Sequence, residues 1–378
     1  MKLVIHDLTP DVWESIKQNY EDCTVVCDKG TIHPCVGCFS CWNRTPGQCA
    51  VHDGYENMGK LIHDADEVIV ISRYTWGGFS GFVKNVFDRC LGYVLPQFEV
   101  VNGESHHQKR YAEDKPFTFI FYGPHLSEEE KASAERYAKA VCTNIRGSVK
   151  KTVFRECREK KAMAGRVWTP PGKTVILQAS MRNANSARLA RQLAKQLEKE
   201  TEIIALREYL KDLPALVHRL EDASTIVLCM PLYVDGLPSQ LIRLMECFAA
   251  EYRGSRKRIY VLANMGLYES SQLVSLFTAV KQWCRAMDFD YCGGLGVSAG
   301  ELLGELMKHI PFHSGPTRKA AEGMDCLAKA IDSSGTIGDI YTEPWGFPRA
   351  LYIWIANTNW NRTAKKNGIR PEDLYRRL

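Results

Sequence analysis

One segment of this chain recurs without a gap, and it constrains the fold more than any other feature. Asp64-Ala-Asp-Glu-Val-Ile-Val-Ile-Ser-Arg-Tyr-Thr-Trp-Gly-Gly78 returns as Asp222-Ala-Ser-Thr-Ile-Val-Leu-Cys-Met-Pro-Leu-Tyr-Val-Asp-Gly236. Each copy carries a short apolar run with no polar alternation, which needs cover on both faces, and parallel sheets sandwiched between helices supply that cover. Two such strands in 378 residues imply two domains of ordinary size rather than one large core. A tandem duplication with diverged chemistry is the expectation.

The rest of the chain alternates β-branched runs with helical periodicity. In the first half the runs predict strands at Lys2–His6, Thr24–Cys27, Glu67–Ser72 and Phe117–Tyr122, and Ser127 with Glu130 predicts a capping box opening a helix toward Ile145. In the second half they predict strands at Thr174–Gln178, Glu202–Ala205, Thr225–Cys229, Ile259–Ala263 and near Tyr291, with helices at Ala184–Lys199, Gln240–Glu251 and Gln272–Met287. The basic stretch from Lys150 to Lys173, ending in Thr169-Pro-Pro-Gly172, reads as a linker. The expected division is a domain at 1–165, a domain at 172–315 and a helical extension at 316–378.

Lys and Arg total 49 against 44 Asp and Glu, a net charge of +5 too weak and dispersed for a nucleic-acid partner. The start of the chain carries no signal-peptide pattern and no later run reaches membrane-spanning length, so a cytoplasmic protein with no membrane partner is expected. In that compartment its 14 Cys stay mostly reduced.

The strand at 174–178 delivers Ala179-Ser180-Met181-Arg182-Asn183-Ala184-Asn185-Ser186 directly into a helix. Hydroxyls, amides, a guanidinium and free helix-start N–H groups suit a phosphate monoester better than a simple cap, which needs one such residue. This loop resembles the phosphate loop of the flavodoxin-like superfamily, in its NADPH-dependent FMN reductase branch, with Ala179 departing from the usual Gly. The resemblance implies two tandem flavodoxin-like, doubly wound parallel sheets with helices on both faces, α/β in class. It also implies that FMN is held by Ser180, Arg182, Asn183, Asn185 and Ser186. The later loops at Pro231, Leu232, Tyr233, Val234, Asp235 and Gly236, and at Asn264, Gly266 and Tyr268, would then line the ring. The first half keeps a similar third-strand turn, followed by Lys84, Asp88 and Arg89, yet it has Asp7, Asp11 and Glu14 where a phosphate would sit. Those carboxylates oppose a dianion.

Four thiols, Cys35, Cys38, Cys41 and Cys49, lie within one short loop. Their spacing is similar to the cluster motif of iron–sulfur flavoproteins in the same superfamily, which implies a [4Fe–4S] cluster on them. A thiol redox pair, an inert loop and a zinc site stay open as readings of the residues alone. The remaining cysteines fall in apolar periodic segments and read as core, and Glu104–Tyr111 reads as a solvated polar loop.

Together these features point to an FMN-dependent oxidoreductase taking electrons from NAD(P)H to a small-molecule or protein acceptor. The flavin would carry the chemistry, with no side chain as catalytic acid, base or nucleophile, and the family's twofold pairing is compatible with a homodimer. Two alternatives stand beside this reading. One is an iron–sulfur electron carrier without direct NAD(P)H use; the other is a non-enzymatic scaffold with a decayed flavin site.

Overall fold

The computed structural model describes residues 1–157, 172–252 and 256–377. Met1–Lys160 with Ile353–Leu378 forms one compact unit, and Lys161–Tyr352 forms the other.

The first unit carries β1 (Lys2–His6), β2 (Cys23–Cys27), β3 (Glu67–Arg73), β4 (Val94–Val101), β5 (Glu104–Lys109), β6 (Pro116–Gly123) and β7 (Ser148–Glu156). Five of these form a parallel sheet in the order β2-β1-β3-β6-β7, while β4 and β5 pair separately as an antiparallel ribbon. Strand β3 is buried along all but its last residue, as its unbroken apolar run requires. Strand β6 alternates instead, turning Phe117, Phe119 and Phe121 inward. Phe79 stacks 5.7 Å from Phe119 and 5.8 Å from Phe121, and each ring buried this way is worth roughly 2–3 kcal/mol.

The second unit carries β8 (Lys173–Gln178), β9 (Thr201–Ala205), β10 (Ala223–Pro231), β11 (Arg258–Asn264), β12 (Asp290–Val297) and β13 (Asp339–Thr342). Its parallel sheet runs β9-β8-β10-β11-β12-β13. Leaving out β13, both sheets have the flavodoxin-like order, second strand outermost and first strand next to the third. That order leaves a crevice for ligands at the carboxyl ends of the first and third strands.

Two local devices recur in both units. Thr75 and Gly78 exchange backbone hydrogen bonds at 3.0 Å each, as Tyr233 and Gly236 do at 3.1 and 3.0 Å. The residues between them all have positive φ: Trp76 at 45° and Gly77 at 86°, Val234 at 39° and Asp235 at 56°. Two consecutive positive φ values make a type I′ turn, and a β-branched valine there is strained. The second device is a buried lysine. Lys115 Nζ donates to His63 O and Ala65 O, and Lys257 Nζ donates to Leu220 O, Glu221 O and Ala223 O at 3.0, 2.9 and 2.8 Å. Each ammonium meets the orphan carbonyls at the end of the helix before the third strand, where a cation also suits the helix dipole.

The capping box forms as expected, Ser127 with Glu130 opening the helix Glu128–Asn144. Three expectations differ. Lys150 does not begin a linker, because β7 runs to Glu156 as an edge strand whose lysines face water and blunt that edge; Thr169–Pro171 lie outside the described residues. Glu104–Tyr111 is no solvated loop: β5 occupies most of it and His106, Arg110 and Tyr111 are buried. Past residue 315, the helix Arg318–Asp332 buries Ala320, Met324, Leu327 and Ile331, and β13 extends the second sheet by a strand too short to show a pattern. The next helix, Arg349–Lys366, starts in the second unit and from Ile353 onward belongs to the first. No helix among the described residues is long and apolar enough to cross a membrane.

Candidate functional site

Strands β8, β10 and β11 are neighbours in the second sheet, so the loops leaving their carboxyl ends lie side by side. Hydrogen bonds bring together the three segments expected to hold FMN. Ser186 Oγ donates to Asn264 Oδ1 at 2.6 Å, Leu232 N–H donates to Asn264 O at 2.8 Å, and the Cys229 thiol at the end of β10 donates to Ser186 O at 3.1 Å. Gln240 closes the group, its Nε2 donating to Ala179 O at 3.1 Å.

The loop after β8 is shaped from beneath by Gln178, a residue the sequence reading left as a strand end. Its Nε2 donates to Ser180 O and Ser180 Oγ, and its Oε1 accepts from Arg207 at 3.1 Å. Ser180 Oγ in turn donates to Arg182 O at 2.7 Å. The signal for Gln178 was present: a lone amide ending an otherwise apolar buried strand. Ser180 and Ser186 are thus both buried and engaged within the protein. Asn183 accepts from Arg191 at 3.0 Å and Asn185 from Arg188 at 3.2 Å. Arg182 and Asn183 are exposed, and the helix Asn185–Gln196 begins beside them, presenting N–H groups that have no partner in their own helix.

The third loop is tied down on its far side. Met265 N–H donates to Val297 O at 3.1 Å, Ala299 N–H to Leu267 O at 2.7 Å and Gly300 N–H to Met265 O at 2.7 Å. A strap from the same unit crosses it: Tyr268 OH donates to Phe347 O at 2.6 Å, Tyr352 OH donates to Gly266 O, and Arg349 pairs with Glu269 at 2.9 Å. Burial pushes the Tyr352 phenol well above its ordinary range, with Glu301 and Glu269 adding to the effect. The Glu301 carboxyl, at the start of the helix Gly300–Leu306, is pushed up by the protein packed around it and pulled back by Arg182. Gly266 keeps open space on its other side, where a β-carbon would meet nothing within 4 Å.

FMN can be tested against these residues by donor chemistry. A guanidinium, an exposed amide and the N–H groups starting a long helix are donors that a phosphate dianion takes, and Gly266 leaves its surroundings open. The residues fit the group.

At the corresponding place in the first unit the chain carries a carboxylate, Asp7. Asp7 follows β1 as Ala179 follows β8, each donating its N–H to the end of the third strand, at Ile71 O and Cys229 O. Both Asp7 carboxylate oxygens accept from Arg73 N–H at 3.1 Å, and burial raises the carboxyl while hydrogen bonds from Ser80, Arg73 and Tyr122 pull it down. Asp11 and Glu14 lie on the exposed helix Pro10–Ile16 that follows.

The cysteine loop is organised by one side chain. Arg89, fully buried, uses every guanidinium donor: Nε to Cys49 Sγ at 3.2 Å, Nη1 to His33 O and Asp53 Oδ2 at 2.8 Å each, Nη2 to Val51 O and Asp53 Oδ1 at 3.0 Å each. These partners flank the four thiols on both sides. Burial pushes the Cys35 thiol up to about 12, with Asp88, Cys49 and Cys38 nearby adding to it, and Cys41 is raised in the same way by burial, Cys35, Cys49 and Cys38. The four thiols therefore share one neighbourhood. Among the described residues, however, no group of three or more His, Cys, Asp or Glu stands in metal-holding geometry, which leaves the [4Fe–4S] and zinc readings of the loop without support. Beneath the loop Lys84 and Asp88 form a fully buried ion pair. Of the cysteines read as core, Cys90, Cys142, Cys229, Cys284 and Cys292 are buried, Cys23, Cys27 and Cys247 are half-buried, and Cys157 and Cys326 are exposed.

No family model matches the chain, and no curated protein matches it. Among solved structures, the Trp repressor binding protein from Bacillus subtilis is similar over 33% of this chain and 83% of its own, at 15% identity and a TM-score of 0.27. An azoreductase from Bacillus anthracis str. Sterne is similar over 43% of this chain and 100% of its own, at 12% identity and a TM-score of 0.32.

Proposed function

We propose that the second unit binds FMN at the carboxyl ends of β8, β10 and β11, and that the chain is an FMN-dependent oxidoreductase drawing electrons from NAD(P)H for a small-molecule or protein acceptor. The observation that carries this reading is the convergence of three loops at the sheet's switch point, one of them opening a helix with an exposed Arg and Asn. Bound FMN supplies hydride and single-electron transfer; the protein supplies position and electrostatics. Arg182 and the start of the helix Asn185–Gln196 hold the phosphate. Ser180 and Ser186 keep their loop in shape through internal bonds, a role different from the direct phosphate contact that the resemblance implies. The turn at Leu232–Gly236 and the loop Asn264–Tyr268 border the ring, with the strap Phe347–Tyr352 restraining the latter.

Asp7 in the first crevice supports one flavin for each chain. The test is full-length protein incubated with FMN, freed of excess and treated anaerobically with NADPH or NADH. A flavin-to-protein ratio near one, with bleaching by either nucleotide, is expected. Bound flavin that only a protein reductant bleaches would favour the electron-carrier alternative, and protein that stays colourless would favour the scaffold.

A further inference from the structure

The four thiols of the 35–49 loop stand in unlike surroundings. Cys38 is exposed, Cys35, Cys41 and Cys49 are half-buried, and Cys49 alone is held by the Arg89 guanidinium. A metal centre asks for sulfurs converging on one point, and no such group is present among the described residues. The loop offers something else: one thiol in water, with a second following after two intervening residues. Phe39, with φ at 58°, turns the chain between them, and Cys41 lies on the short helix Ser40–Asn43. Ser40 N–H reaches back to Cys38 Sγ at 3.5 Å. The frame around this turn is rigid. Arg89 ties His33, Cys49, Val51 and Asp53 together, and Trp42 Nε1 donates to Leu91 O and Val94 O at 2.9 and 3.0 Å. Both ends of the loop are fixed, and Cys38 is left within reach of solutes.

We propose that Cys38 and Cys41 form a thiol–disulfide exchange site for a low-molecular-weight disulfide, Cys38 attacking and Cys41 resolving. The Cys38 thiolate attacks one sulfur of RS–SR. The S–S bond of the solute breaks as Cys38–S–SR forms, and RS⁻ leaves and takes a proton. Cys41 then attacks Cys38 Sγ, its proton passing to the departing sulfur, and the second RSH leaves. The products are a Cys38–Cys41 disulfide and two RSH, so the chain has lost two electrons and the solute has gained them. A two-residue separation is short enough for such a bridge. Arg89 ties together the segments that precede and follow these two thiols. The site stands apart from the flavin proposal and does not depend on it.

The test uses reduced full-length protein and oxidised glutathione, followed by acid quenching and peptide mass spectrometry. In the wild type a Cys38–Cys41 disulfide forms. In Cys41→Ser, Cys38 retains one glutathione. In Cys38→Ser, oxidation of the loop slows at least ~10-fold, and Cys35→Ser behaves as the wild type. Iron and zinc are measured on anaerobically purified wild type and Cys38→Ser. No adduct on Cys38 in Cys41→Ser, equal oxidation rates in Cys38→Ser and wild type, or near-stoichiometric metal lost in Cys38→Ser overturns the proposal. The metal outcome would return the loop to a metal site without bearing on FMN.

Discussion

Ser186 Oγ donates to Asn264 Oδ1 at 2.6 Å, a buried bond joining the first turn of the helix Asn185–Gln196 to the end of β11. Ser186→Ala removes the donor and leaves the amide oxygen unpaired, so a stability loss of about 1–3 kcal/mol is expected, together with weaker FMN binding because both segments loosen. Arg182→Gln acts differently. Its side chain is exposed, so the melting temperature should hardly move while FMN affinity falls ~10-fold or more through loss of a charge-assisted contact. Titration of both variants with FMN, alongside thermal melts, separates the two roles; unchanged affinity in Arg182→Gln would move the phosphate elsewhere.

Asp235, buried at the second central position of its turn, places a carboxyl in the loop that borders the proposed ring. A negative charge there opposes electron uptake by the flavin. Asp235→Asn should raise the midpoint potential in a spectroelectrochemical titration, and an unmoved potential would put the carboxyl out of range of the ring.

The Lys84–Asp88 pair has no exposed side-chain surface. Removing one partner strands the other charge in the interior, so Lys84→Met or Asp88→Leu alone should cost about 3–5 kcal/mol in urea denaturation. The double variant should be more stable than either single one, since no lone charge remains. A double variant as unstable as the worse single one would show that the pair fixes the helix Gly81–Asp88 by shape rather than by charge.

His6 is buried against Trp13 at 4.0 Å, and among the described residues neither ring nitrogen has a hydrogen-bond partner. Burial lowers its pKa from 6.5 to about 4. The unfolded chain therefore binds a proton between those values that the folded chain refuses. Stability is full above pH 6.5 and falls as the pH drops toward 4, by about 1–2 kcal/mol after solvent screening. His107, set among Trp42 and Phe98, is lowered to about 4 by burial and acts in the same direction. Melting curves from pH 7 to pH 4 should show a smaller decline for His6→Leu than for the wild type; parallel curves would remove His6 from the account.

Strands were legible where residues are apolar on both faces. Lys173–Gln178 and Glu67–Arg73 were placed within a residue, because nothing but a central strand accommodates such runs. The stretch from Lys150 to Glu156 reads as linker in sequence because an edge strand carries lysines on its open side, and composition alone cannot separate that from a solvated tether. The ligand loops were legible as residue types but not as bonds. Ser180 and Ser186 look like phosphate contacts in sequence, yet their hydroxyls are spent on Arg182 O and Asn264, partners fixed by the fold. Arg89 was visible only as part of a family-like segment. Its role depends on His33, Cys49, Val51 and Asp53, residues far from it in the chain, and no periodicity encodes a meeting of that kind.

The C-terminal residues from Ile353 onward complete the first unit. Asn357 exchanges hydrogen bonds with the backbone of Phe98 at 2.7 and 3.0 Å, Trp360 packs edge-on to Trp42 at 5.2 Å, and Arg110 grips Leu374 O and Arg376 O at 2.7 Å each. On the ribosome this inverts the usual order of assembly. The amino-terminal sheet emerges first but must wait, with its aromatic ribbon uncovered, until the entire second unit has been made. A nascent chain stalled between the two halves would expose that ribbon to chaperones, and an expression fragment cut at the domain boundary would lack the piece that seals it.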